Sequence, residues 1–499
     1  MTNAPRPDAP VPSGTAVQAD PRRWKALFVL ALIQFMLVLD VTVVNVALPR
    51  IQQNLGFTHA GLAWVVNGYV LMAGGFLLLG GRLADLLGRR RLFLVGVAIF
   101  AVASATCGAA VSPAMLVTSR FVQGLGEAFA APASLGLIAL LFPDPRERIK
   151  ALGMWGGVAG LGGTTGTIIS GVLTSYVSWR WIFYINLPVA AFALLAVPRL
   201  VSESRMVREK GRVDFAGAFT ATAGLVAIVD GLLAASTHAW GAWQVLVPLF
   251  GGVALLVVMV GLESRSKNPL IPMRFFSNRT RVVTNFVTLF FSSAFFSFFF
   301  MLTLFEQQVL HYSPVRGGVS YLPFGLAIGA GIGLGTALMP KLGVKPLLAT
   351  GFFGCAVGLW LVSGIHVGIG YWSGIMPAMV VLGFFSGVSF PTIGNASLHE
   401  VTGQDSSLAS GVQNAVQQIG GALGLATLVT LALRRAGSQI HQHVTPDVAT
   451  THGYVFAYRI AAILCAIGGV LVIALLEHVI PAPREAAVDM DEAIATAPA

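Results

Sequence analysis

Residues 81–91 read GRLADLLGRRR and lie between two uninterrupted apolar stretches. One acid, four arginines and two glycines in so short a segment do not belong in lipid. The segment must therefore turn at a membrane face, and short Lys/Arg-rich loops stay on the cytoplasmic side. This turn limits the chain to a multi-pass helical membrane architecture, since only helices and closed barrels satisfy their backbone polar groups in hydrocarbon.

Composition agrees. Of 499 residues, 56% are hydrophobic and 10% are charged, whereas soluble domains carry about 25% charge. A bilayer core takes roughly 20 apolar residues per helix. On that basis the expected spans are 24–48, 60–80, 92–111, 114–141, 151–176, 182–201, 214–234, 244–263, 282–306, 316–339, 346–366, 372–397, 408–433 and 454–477. Fourteen spans put both termini on one side. The assignment places 24 of the 31 Lys and Arg on the face of the 81–91 turn and six on the other, with Arg120 inside the membrane. Both termini are thus expected in the cytoplasm of a cell-membrane protein. Trp24, Trp179, Trp181, Trp240, Trp243 and Trp372 fall near span ends, where an aromatic belt is expected.

The net charge of +10 does not point to nucleic acid, because the positive residues sit in short loops between apolar runs. Cys107, Cys355 and Cys465 lie inside apolar segments without metal-ligand spacing. The 434–453 segment reads as an outer loop with His441, His443 and His452, but no acid or Cys pattern completes a metal site. A phosphate loop, H-E-x-x-H and G-x-S-x-G are missing from the sequence, so an enzyme is not expected.

The order of motifs resembles the major facilitator superfamily, and within it the fourteen-helix drug:proton antiporters. In the turn, Gly81, Asp85, Gly88, Arg89 and Arg90 match G-x-x-x-D-R-x-G-R-R, with Leu86 in place of an arginine. LDVTVVNVALPRI (39–51), RFVQGLGEAFAAPASLGLI (120–138), WRWIFYINLPV (179–189) and SGVQNAVQQIGGALG (410–424) are similar to other family signatures. In the fifth helix Gly162, Gly166 and Gly171 keep the glycine spacing of the antiporter motif, but Thr167 replaces its Pro and Ser170 a Gly. Those glycines fit coupling and plain tight packing equally.

The resemblance implies an all-α fold of two pseudo-symmetric six-helix bundles, 23–202 and 282–478, rocking about a central cavity. Residues 203–281 would add two helices between them, and 1–22 and 479–499 would be disordered cytoplasmic tails. It also implies a latch, in which Asp85 faces the start of helix 13 at Asp405 and Ser406, where a helix dipole favours an anion. The alternative is that the arginines only set topology and touch anionic lipid.

Ionisable groups deep in a membrane are functional candidates by default. Asp40, Arg120, Glu127 and Glu306 are the proton-coupling candidates. Two further readings remain open: a structural Arg120–Glu127 pair, seven residues apart on one helix face, and a solvated Glu306 in the headgroup region. Gln34, Asn45 and Gln123, with Phe295 and Phe299 from the aromatic run FFSSAFFSFFF (290–300), are the candidate substrate contacts. The expected function is export of hydrophobic, cationic drugs by proton antiport, with no cofactor beyond the proton gradient. The expected partners are a small molecule, protons and lipid, and a monomer suffices. Export of one endogenous antibiotic, nutrient import by symport and a non-transporting receptor are the alternatives.

Overall fold

The computed structural model describes residues 22–203, 214–266, 271, 275, 277–401 and 406–477. Within these residues the chain is helical. The long helices are α1 (Arg23–Leu55), α2 (His59–Leu87), α3 (Arg89–Gly108), α4 (Pro113–Leu141), α5 (Pro145–Tyr176), α6 (Trp181–Leu200) and α7 (Phe215–Ala234). They continue as α8 (Trp243–Arg265), α9 (Arg279–Val309), α10 (Pro314–Leu342), α11 (Val344–Val362), α12 (Tyr371–Ser397), α13 (Ser406–Ile440) and α14 (Pro446–Leu475). Thirteen are long and apolar enough to cross a membrane. The other is α5, glycine- and threonine-rich, which packs along α1.

Polar residues set the helix starts by taking up amide groups that have no partner within the helix. Thr58 accepts from Gly61 N (3.0 Å), Ser112 from Met115 N (3.2 Å) with Pro113 in the first turn, and Asn278 from Arg281 N (2.9 Å). Asp214 does the same for α7 (2.7 Å) and Ser313 for α10 (3.3 Å). Gly88, with φ 106°, joins α2 to α3 in a conformation that side chains avoid.

Helices α1–α6 pack among themselves, and α9–α14 form the corresponding second group. Small residues let backbones meet: Gly96 and Gly126 face each other between α3 and α4. The two groups touch along α2 and α13, where Gly74 lies against Gln418 and Gly411 against Leu78. Helix α7 packs on both α2 and α13, across this seam, and α8 packs on α7. Much of α8 is exposed apolar surface, including Trp243, Val247, Phe250 and Val257.

The face holding the α2–α3 turn is called the arginine-rich face here. At the opposite face the first turns of α10 pack on α5 and the end of α9 reaches α1. Toward the arginine-rich face, Gly153, Gly156 and Gly157 of α5 have open space around them.

Two expectations change. The 434–453 stretch is mostly helix, because α13 runs to Ile440 and α14 starts at Pro446. There His452 bonds Gln439 Oε1 at 2.6 Å. Trp179 is not a belt residue: it is 3% exposed and donates to Asn54 Oδ1. The expected tails, apart from Arg22, and the whole of the 204–213 stretch lie outside the described residues.

Candidate functional site

The first bundle holds a buried polar network around Asp40, which is 0% exposed on α1. Arg120 of α4 forms an ion pair with Asp40 Oδ2. Gln123 Nε2, one turn along α4, donates to Asp40 Oδ1 at 2.8 Å. Asn186 Nδ2 of α6 donates to the same oxygen at 2.9 Å. Ser104 of α3 accepts from Asn186 (3.0 Å) and Gln123 (3.3 Å) and donates to Phe183 O (2.9 Å). Arg120 also donates to Val65 O (2.9 Å) and Gln123 Oε1 (2.7 Å), and lies 4.2 Å from the centroid of the Tyr69 ring. Three donors from two other helices thus surround one carboxylate, the condition under which a buried charge is stable.

This settles two candidates differently from their sequence reading. Arg120 does not pair with Glu127 on its own helix; its acid is Asp40, eighty positions away in sequence. Gln123 does not face a cavity: it is 0% exposed, and both ends of its amide are used inside the network. Asn186 and Ser104 were missed. Asn186 lies within the family-like WRWIFYINLPV stretch, which was a usable signal. Nothing in the sequence marked Ser104.

Glu127 is half-buried on α4. The Tyr69 hydroxyl and the charges of Asp40 and Arg120 face it, and no partner lies within hydrogen-bond distance of its Oε2 among the described residues. Gln34 Oε1 on α1 and Trp155 Nε1 on α5 are buried and unpaired in the same way. Gln34 lies eleven residues, roughly 16 Å, along α1 from the arginine-rich face, and Glu127 fourteen residues, roughly 21 Å, along α4. Asn45 donates to Val41 O on its own helix at 3.2 Å.

In the second bundle, Glu306 is 0% exposed, not solvated among headgroups. Ser320 Oγ donates to its Oε2 at 2.9 Å, while Oε1 is unpaired among the described residues. Three turns or less away on α9, Phe295 and Phe299 are half-buried in an aromatic cluster. Phe295 meets the rings of Phe291, Phe296, Phe299, Phe324 and Phe390, with centroids between 5.1 and 6.4 Å. Tyr321 stacks on Phe299 at 5.1 Å and 17°. The rings therefore pack on one another, and Phe295, Phe296, Phe299 and Phe390 are each half-buried.

At the arginine-rich turn, Asp85 pairs with Arg89 (2.9 Å), and Arg89 also donates to Gly136 O of α4 (2.9 Å). Arg90 donates to Val201 O (3.0 Å), and its own amide donates to Glu203 Oε1 (3.2 Å). A Cβ at Gly88 would collide with that Glu203 carboxylate. Glu203 was overlooked in the sequence; it ties the turn to the end of α6. Asp405 lies outside the described residues; Ser406 opens α13, with its side chain also outside them. In the helix-5 motif, Gly162 and Gly166 lie on α1 against Phe35 and Thr42. Gly171 instead meets the second bundle: a Cβ there would come within 2.6 Å of Pro314 O.

An all-helical double bundle with buried acids on its inner helices defines a membrane transporter of the facilitator type. The family model for the major facilitator superfamily matches residues 30–425, and the chain belongs to that superfamily. It is a multi-pass membrane protein. It is 38% identical over 502 aligned positions to a puromycin resistance protein of Streptomyces alboniger, covering 99% of both chains. It is 36% identical to a cephamycin export protein of Amycolatopsis lactamdurans, over 81% of this chain and 84% of the other. Among solved structures, a bacterial homologue of the lysosomal transporter Spinster aligns with TM-score 0.64 at 15% identity, covering 91% of this chain and 96% of the other. At that identity the likeness speaks for the fold alone.

Proposed function

We propose that this chain exports a hydrophobic, cationic small molecule in exchange for protons, by rocking of the units 23–202 and 282–478 between two accessible states. The arginine-rich face is cytoplasmic in this reading, as the Lys/Arg bias favours. One observation carries the proposal: Glu127 and Glu306 each hold a carboxylate oxygen with no hydrogen-bond partner among the described residues, inside membrane helices. Such a group is costly when charged and unpaired. It becomes tolerable when it takes a proton or meets a cation, so the two compete for it. Asp40 and Arg120 serve as the fixed electrostatic frame beside Glu127. Gln34, Trp155, Phe295 and Phe299 supply polar and aromatic contacts for the cargo.

The relatives' names favour export over import. Each names one compound, puromycin or cephamycin, which supports a second reading: a transporter dedicated to a single antibiotic.

Everted membrane vesicles with an acid lumen test the exchange. Adding a fluorescent cation such as ethidium should release protons from the lumen in proportion to uptake. No pH response across a broad panel of antibiotics and organic cations would defeat the antiport reading.

A further inference from the structure

Glu306 lies where the contacts across the face opposite the arginine-rich turn converge. It belongs to the π-helical turn Phe305–Val309 that ends α9, a type of turn frequent at functional sites. The two residues after it cross to the first bundle. Gln307 Nε2 donates to Val46 O at 2.8 Å, and Gln308 Nε2 to Gln52 Oε1 at 2.7 Å. Its own side chain reaches the second contact. Ser320, bonded to Glu306, ends the helical stretch Pro314–Ser320. That stretch lies on α5, where Val315 N donates to Ser175 Oγ (3.2 Å) and Gly318 sits against Thr167. From α12, Tyr371 donates to Ser320 O at 2.7 Å.

The charged and titratable groups facing Glu306 are Arg316 on α10, Tyr321 in the same helix, Tyr371 on α12 and Tyr458 on α14. Arg316 is the only cation in that set, and it lies over the Tyr312 ring at 3.8 Å instead of forming an ion pair with Glu306. Tyr321 is engaged with Thr303 at 2.9 Å. With the face closed, nothing in this set offers Glu306 Oε1 a hydrogen bond. A neutral acid fits that enclosure. An ionised one needs water, and water enters only if the π-helical turn leaves α1 or the start of α10 leaves α5.

We propose that Glu306 is the proton switch of the outer gate: protonated, it holds this face shut; ionised, it lets the face open. This rests on the antiport reading and assigns the carboxylates separate tasks, gating to Glu306 and cargo competition to Glu127.

The test uses the full chain in lipid nanodiscs with spin labels on Gln53→Cys and His366→Cys, exposed positions on opposite bundles at this face. The native cysteines are buried and stay unlabelled. The label distance should lengthen as pH rises, and in E306Q it should remain at the short value throughout. A distance that does not depend on pH in the parent protein, or an E306Q response like the parent's, overturns the proposal. If E306Q does not fold, S320A decides. Ser320 donates to the carboxylate and so favours its ionised form; its loss should move the opening midpoint up by roughly one pH unit, and an unmoved midpoint overturns the switch. Proton release driven by drug is measured on the same protein in liposomes. Its absence beside an intact distance response breaks the antiport reading and leaves the gate.

Discussion

Asp40 and Glu306 are both fully buried acids on the first helix of their bundles, and they are built in opposite ways. Asp40 is enclosed by Arg120, Gln123 and Asn186, from two other helices. Glu306 has one hydroxyl, Ser320, and an oxygen with no partner among the described residues. A compensated charge fixes geometry, whereas an uncompensated one responds to protons, water or a cation. The comparison teaches that burial alone does not identify the mobile site; the shortage of partners does.

Four substitutions would break or sharpen this contrast. The largest effect is expected from Arg120→Ala, which leaves Asp40 charged and unpaired in the first bundle. Breaking such a pair costs roughly 3–5 kcal/mol, so the purified protein should lose much of its thermal stability in detergent. A melting curve like that of the parent would remove the structural role of the network. Next is Glu127→Gln. No hydrogen bond to Oε2 is lost, so stability should stay within about 1 kcal/mol, while drug-linked proton release in vesicles falls at least about tenfold. Equal losses of stability and coupling would erase the distinction from Asp40.

Asp85→Asn should leave the amount of protein in the membrane unchanged and slow transport several-fold. It weakens the bond to Arg89 and, in the latch reading, the hold on α13. Transport at the parent rate would reduce the turn to a topology signal. Phe299→Ala should have the smallest effect. Loss of one stacking partner, about 0.5–1.5 kcal/mol, should raise the apparent KM for an aromatic drug roughly two- to tenfold with little change in the maximal rate. An unchanged KM would leave the ring cluster as packing only.

The legible part of this chain was the part that depends on local sequence. Fourteen long helices and the arginine-rich turn could be read because hydrophobic length and loop charge act segment by segment. Helix ends were read less well: α13 and α14 extend past their apolar cores into what resembled a loop, since polar helix turns beyond the apolar run leave no hydropathy signal. The candidate site was readable as residue types but not as pairs. Arg120 and Glu127 share a helix face seven residues apart, so sequence spacing suggested a partnership that the packing of α1 against α4 replaced. Gln123 looked like a polar cavity residue because its partners from α1 and α3 were invisible. Glu203 sits on the chain after α6, over a hundred positions from the turn it stabilises.

The sequence by itself therefore determined the succession of long apolar helices, which face carries the arginines and which few acids fall within apolar runs, because each follows from the transfer cost of a short stretch of residues. Only the tertiary structure decided which of those acids is neutralised and which is left wanting a partner. That depends on side chains brought together from helices 80 and 146 positions apart, and no local rule encodes such a meeting.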